Sequence, residues 1–313
     1  MIDLFATSVR DAQISRSKKP TGAASGAGSV RVAITVEQLE KRVAALSNMP
    51  TLPGVIRSVG LLVEDQDSSA SDIAEIISKD PVLSSRILRL VNSPVYGFPS
   101  RIASVTHALV LLGFNVVKGL VLGTAVFDTF AKQTVGLWEH SLGCAIVSRR
   151  IARELALPDV EEIMIAGLLH DFGKAILSFV AKAEYDIALK TAQLKGCHIA
   201  AGEMEVLGTD HTSVAGWVTQ QWRLPACLRD PIVHHHEPAL SKTHPTAAAI
   251  VHLADILARG LGYGWPGDMT MPPIDHVAFQ GLGLSLDQID HILAMAELEY
   301  AGGVDIFGAD TTN

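Results

Sequence analysis

A chain of 313 residues with 48% apolar, 19% charged and 5% aromatic side chains can bury a sizeable core and is too apolar to be disordered throughout. Its formal net charge of -8 argues against a nucleic-acid binder, which presents a basic face, while leaving room for a local basic patch. Cys144, Cys197 and Cys227 are odd in number, far apart and form no CxxC pair, which fits a reducing compartment.

Residues 1 to about 35 read as a tail. SRSKKPTGAASGAGS is rich in Gly, Ser and Ala and has no hydrophobic period, as in a flexible linker. The N-terminus has no apolar core of signal-peptide length, so a cytoplasmic location is expected. From about Val36 the pattern is helical. In SDIAEIISKD, Ser71 is the expected N-cap, and Ile73, Ile76 and Ile77 recur at helical spacing. In DPVLSSRILRLVN, Asp80 caps and Pro81 takes the first helical position, where a missing N–H costs nothing. Val82, Leu83, Ile87, Leu90 and Val91 form the stripe, and Pro94 and Gly97 break the chain afterwards. Ile102 to Phe127 reads as two buried helices around a turn at Gly113-Phe114-Asn115. Asn115, Lys118, Gly119 and Gly123 argue against a membrane span there.

Further helices are expected at about 137–156, 159–171, 181–195, 199–207, 211–222, 225–235, 246–259 and 285–300. No run alternates at period two for long enough to make a strand. The expectation is an all-α protein with helical lobes at 36–130 and 131–259. A loop opens the remainder, 260–313, at Gly260–Pro273, and a C-terminal helix follows.

Twelve histidines carry most of the chemical information. His170 and Asp171 stand in GLLHDFGK, at the end of an apolar helix, where imidazole and carboxylate can converge on one cation. Such a donor pair suits Zn, Fe, Mn or Ni. Lys174, four residues after His170, falls on the same face of a continuing turn and could meet a phosphate. His140 lies in LWEHSLGCA, His211 follows the capping candidates Thr209 and Asp210, and His234, His235 and His236 form a triplet. Asp255 is a carboxylate inside an apolar helix, costly to bury unless a cation or strong donors satisfy it. The competing reading of this set is a buried hydrogen-bond network with no metal.

Other candidates take plainer readings. His107, His198, His276 and His291, like His244 and His252, are expected to be surface or packing residues, and His234 is ambiguous. Trp138, Trp217 and Trp222 are expected in the core, and the cysteines as small buried apolar groups. The helices around Gly113 make a poor helix-turn-helix, because NVVKGLVLGTAV offers one cation and almost no polar group for bases or phosphates.

The order His140, His170-Asp171, His211, His235-His236, Asp255 resembles the HD superfamily of metal-dependent phosphohydrolases. Within it, MPTLPGVI, ISKDPVLSSRILRLVNSPVYG and ASVTHALVLLGFNVVKGLVL are similar to the N-terminal half of the HDOD family. WEHS, GLLHDFGK, Glu203 to DHTSVAGW, QQWRLP and HHHEP are similar to its C-terminal half, so the likeness covers about residues 39–258. The resemblance implies one or two divalent metal ions. His140, His170, Asp171 and Asp255 would hold the first, and Asp171 would bridge to a second held by His211, His235 and His236. Lys174 would face a phosphate-containing ligand. HHHE continues as PALSKTHPTAAA, without the Gly-Tyr-Pro loop of the related cyclic-dinucleotide phosphodiesterases, and Gly262-Tyr263-Gly264-Trp265-Pro266 lies beyond Asp255, in the wrong place. The resemblance therefore implies a bacterial signalling module, metal-binding and non-catalytic. It would act on protein partners, with no membrane and no sequence-specific nucleic acid. The alternative is a metal-dependent phosphohydrolase acting on a nucleotide or cyclic nucleotide, with Asp171 and Lys174 as catalytic residues.

Overall fold

Local caps and apolar stripes divide the chain into helices, and the computed structural model describes residues 34–46, 70–130 and 134–303 of it. The tail expected over 1–35 lies almost wholly outside the described residues, as does MPTLPGVI. No strand occurs among the described residues, and the protein is all-α.

Thr35 and Gln38 form a capping box that starts α1, Val36–Ala45. The next helix, α2, is Ala70–Ser78. Ser71 is therefore its second residue and not its N-cap, and the residue before Ala70 lies outside the described residues. Asp80 caps α3, Pro81–Val91, accepting from the N–H groups of Val82 and Leu83. Ser104 caps α4, Val105–Leu112, and one residue, Gly113 at φ +80°, turns the chain into α5, Phe114–Phe130. The glycines of α5 serve packing: a Cβ on Gly119 would stand 2.2 Å from Cγ2 of Ile165. That contact belongs to the face α5 shares with α7, and residues 116–124 of the helix are buried in the core.

The second half comprises α6, Leu137–Glu154, α7, Val160–Leu169, α8, Phe172–Val180, and α9, Lys182–Lys195. There follow α10, Ile199–Leu207, α11, His211–Gln221, and α12, Ala226–His234. After a 3-10 turn at Pro238–Leu240 come α13, Pro245–Gly260, α14, His276–Leu282, and α15, Leu286–Gly303. The helix expected at 159–171 ends at Leu169, and the chain restarts as α8, which the sequence pattern did not separate. Both sides of the break are apolar and buried, so periodicity carried no signal there. The run Val160–Val180 is long and apolar enough to cross a membrane by composition, but 89% of its 18-residue apolar window is buried inside the protein. Short α14, started by Asp275, was also not foreseen.

Buried Arg149 on α6 fastens the segment before α4 to the second half. Its guanidinium donates to the carbonyls of Val95 and Tyr96 and to Glu161 on α7, and it lies over the Tyr96 ring. On the outer side, α15 packs along α6, where Arg150 pairs with Glu299 and Gln288 bonds Glu154.

Replacing Arg149 by Ala should lower stability by about 3 kcal/mol, because two buried carbonyls lose their donor and Glu161 its partner. Urea denaturation checks this; an unchanged midpoint would mean that the fastening contributes nothing.

Candidate metal centre

Helix ends converge on one buried point. His170 is the C-cap of α7 and Asp171 the N-cap of α8, so the break between those helices turns both side chains inward. Asp210 accepts from Ser213 N–H and starts α11 at His211. His235 closes α12, with His236 next to it, while His140 and Asp255 project from within α6 and α13. Gly173 lets α8 touch α11: a Cβ there would stand 2.0 Å from the carbonyl oxygen of His211.

The Asp171 carboxylate sits between two groups of donors. Its Oδ2 lies 3.2 Å from His170 Nε2 and 3.6 Å from His140 Nε2, while Oδ1 lies 3.3 Å from His211 Nε2 and 3.7 Å from His235 Nε2. His140, His170 and Asp255 form one set whose ligand atoms lie within 4.8 Å of one another. Asp171, His211, His235 and His236 form a second. All are fully buried except His236, which is half-buried. The structure thus brings together all seven residues singled out as ligands.

The outer hydrogen bonds fix which ring nitrogen faces inward. Nδ1 of His140, His170 and His235 meets the carbonyls of Tyr263, Gly167 and Ile232 at 3.3, 2.7 and 2.8 Å. A carbonyl only accepts, so Nδ1 carries the hydrogen and Nε2 of the neutral ring keeps a lone pair toward the centre. Glu203 does the same for His211, its Oε2 accepting from Nδ1 at 2.6 Å and from the backbone N–H at 2.9 Å. His140 Nε2, His170 Nε2, His235 Nε2 and Asp171 Oδ1 are all buried without a hydrogen-bond partner. Unsatisfied acceptors aimed at one point are costly unless a cation meets them, and nitrogen and oxygen donors of this kind fit a divalent transition metal.

The electrostatics run the same way. Burial pushes His140, His211 and His236 down and takes His235 to about 3. Burial also pushes His170 down, but Asp171 and Cys144 beside it together outweigh this and raise it well above the ordinary value. Burial pushes Asp171 and Asp255 up, yet both are held well below the usual range, Asp171 by His170 and Lys174, Asp255 by Arg259 and His140. Glu203 is pushed up to about 8 by burial.

Lys174 is buried beneath the centre and does not point into solvent. Its ammonium donates to Asp171 Oδ2 at 2.6 Å and to the Pro266 carbonyl at 2.8 Å. His252, read as a packing residue, bonds the His235 carbonyl through Nδ1, and its Nε2 accepts from Asp275 N–H. His234 turns away toward Asp230, and His107, His276 and His291 are exposed. Trp138 and Trp222 are buried, and Trp217 packs against the core. Arg259 and Asp268 were not singled out in the sequence, Glu203 was named only as the start of a family-like stretch, and His198, on the rim of the site, was read as a surface or packing residue. Arg259 holds Asp255 Oδ1 at 2.9 Å; its place four residues after an inward carboxylate on one helix was the available signal. The segment 261–275, a loop as expected, crosses the centre. Gly264, at φ +62°, lets it pass over α6, since a Cβ there would stand 2.3 Å from His140 N.

The family model described as HDOD domain matches residues 49–238. An uncharacterised protein of Treponema pallidum (strain Nichols) is 23% identical over 226 residues; the match takes in 69% of this chain and 43% of that protein, less than half its length. Among solved structures, an HDOD domain protein of unknown function from Geobacter sulfurreducens is 24% identical at a TM-score of 0.65, over 87% of this chain and 99% of that one. A signal transduction protein, so described, from Marinobacter aquaeolei VT8 is 19% identical at 0.66, over 89% and 62%. A protein described as a metal-dependent phosphohydrolase from Shewanella amazonensis SB2B is 18% identical at 0.55, over 85% and 98%. At these identities the structural likenesses show the fold.

Metal-stripped protein should lose stability as pH falls from 7 to 5. Five imidazoles, His140, His198, His211, His235 and His236, titrate below their unfolded value of 6.5, so the unfolded chain takes up protons first; His170, raised, and Glu203, pushed up to about 8, work the other way but are outnumbered. His235 alone, at about 3, accounts for roughly 2 kcal/mol over that interval. Chemical denaturation at several pH values measures it, and a stability that rises toward pH 5 would contradict it.

Proposed function

The chain belongs to the HDOD domain family, and on that premise we propose that it is a signalling module whose buried centre holds one or two divalent metal ions without turning over a substrate. The observation that carries this reading is Asp171, one carboxylate oxygen toward each of two sets of bare imidazole nitrogens, sealed within the core. Asp171 would bridge the ions. His140, His170 and Asp255 would complete one side, and His211, His235 and His236 the other. Iron, manganese, zinc and nickel all suit these donors. Closure of the centre favours a structural or sensory role: six of the seven residues are fully buried, and Lys174 is tied to Pro266. The output would pass through protein contacts of the helical surface, in the cytoplasm, with neither a membrane nor a specific nucleic-acid sequence as partner.

A second reading, metal-dependent phosphohydrolysis of a nucleotide or cyclic nucleotide, draws on the bridging geometry. Bound divalent metal in such a site lowers the pKa of coordinated water and stabilises charge on phosphoryl oxygens. In that case Asp171 would position the reacting centre and Lys174 would meet the phosphoryl group, which requires it to leave Pro266.

Elemental analysis of purified protein should find about one to two equivalents of a transition metal, and the double substitution His170→Ala, Asp171→Ala should abolish it and lower the melting temperature. Protein that takes up no metal from supplemented medium or by titration would end the metal reading. A panel of phosphomonoesters, nucleotides and cyclic dinucleotides should show no appreciable turnover. Metal-dependent hydrolysis above about one per second, lost in the double variant, would instead establish the enzyme.

A further inference from the structure

The two basic side chains beside the centre, Lys174 and Arg259, are both engaged by one short run of chain, Pro266 to Asp268. Lys174 meets the Pro266 carbonyl, and Arg259 Nη1 meets Asp268 Oδ1 at 3.3 Å. The Asp268 carboxylate is nearly buried, and its partners form a setting for an anion. Oδ2 accepts from Ile199 N–H at 3.0 Å, at the first residue of α10, and lies 3.8 Å from His198 Nε2. Oδ1 also accepts from Thr270 N–H at 2.7 Å. His198 Nδ1 accepts from Ala200 N–H, and its Nε2 lies 3.3 Å from Arg259 Nη2, so the ring stands between the guanidinium and the carboxylate without donating to Asp268. A helix N-terminus and a buried guanidinium, with the His198 ring beside them, suit a phosphate better than a carboxylate, because phosphate offers more oxygens and more charge.

The run that fills this setting is held by Trp265 N–H, which donates to the Gly136 carbonyl at 2.8 Å, and by buried Pro266, while Trp265, Met269 and Met271 are exposed, at 43%, 88% and 49%, so lifting it breaks few apolar contacts on the outer face. Cavities of about 240 and 370 Å³ flank it, the first lined by Lys174, Tyr185 and Trp265, the second by Cys197, Asp268 and Thr270. It also lies beyond the residues that the family model matches, 49–238.

We propose that Asp268 is an internal occupant of a phosphate site formed by Arg259, His198 and the N-terminus of α10, and that a soluble phosphate or phosphate monoester displaces it and lifts residues 265–271. This deepens the signalling reading by giving the centre a ligand-operated cover, and it requires no catalysis.

The test titrates inorganic phosphate and phenyl phosphate into wild-type protein and Asp268→Asn, with metal content measured in parallel. The variant should bind inorganic phosphate about tenfold more tightly, and the further substitution Arg259→Gln should remove the gain. Tighter binding of phenyl phosphate than of phosphate would place the rest of the ligand in the cavity beside Trp265. In wild-type protein, saturating phosphate should speed hydrogen exchange in 265–271, a readout that stands if the variant does not fold. Equal affinity of wild type and variant overturns the proposal, as does unchanged exchange under saturating phosphate. A metal-free protein that keeps the gain would sink the metal reading and leave this one, whereas a metal-loaded protein without the gain does the reverse.

Discussion

The position of Asp171 constrains everything around it. A carboxylate with no exposure, four imidazoles near it and a second buried carboxylate at Asp255 would each cost several kcal/mol if left unpaired in a protein interior. Lys174 and Arg259 answer part of that negative charge directly, and His170, raised beside Asp171, answers part of the rest. The core can hold this polar centre only because each outer nitrogen is bonded to a carbonyl or to Glu203. The fold then reads as a consequence. Helix ends must converge, α7 must break before α8, and α8 must approach α11 as closely as only Gly173 permits.

Much of this was legible in the chain, and what was legible is local or motif-like. Asp80 and Asp210 cap helices because a short side chain reaches N–H groups two or three residues on, a relation contained within four residues. The seven site residues could be named because histidine and aspartate beside or within apolar helices stand out, and because their order resembles that of the HD superfamily, which implied the ligand set. Other features were hidden because they depend on long-range contacts. Lys174 finds the Pro266 carbonyl 92 residues away, His140 that of Tyr263 123 residues away, and Arg149 that of Val95 54 residues away. Carbonyls belong to every residue, so no sequence pattern marks one as a partner. His198 looked like an ordinary histidine for the same reason: its importance comes from Arg259 and Asp268, which the fold brings to it.

Residues beyond the family match are wired to the centre at three levels. Tyr263 offers its carbonyl to His140 and stacks its ring on Tyr300 of α15, with centroids 3.7 Å apart. Pro266 meets Lys174, and Asp268 meets Arg259. The first contact lies against a ligand candidate, and the other two lie against the cations that neutralise Asp171 and Asp255. The C-terminal part therefore does more than cover the bundle. It contributes to the same charge balance that makes the centre tolerable to bury.

That arrangement separates what can move from what cannot. His140, His170, His211, His235 and both aspartates are set by helices packed on all sides, so their geometry is fixed as firmly as the core itself. The segment from Trp265 to Met271 is held by a few polar contacts, with exposed apolar side chains on its outer face. A change in charge at the centre is felt first at Lys174 and Arg259, since both balance its carboxylates. Through them it alters the hold on Pro266 and Asp268, because a cation shared between two acceptors binds each more loosely as the other gains charge. The buried polar centre and its cover are thus coupled without the centre opening, because the cover is tied to the same two cations that balance the buried carboxylates.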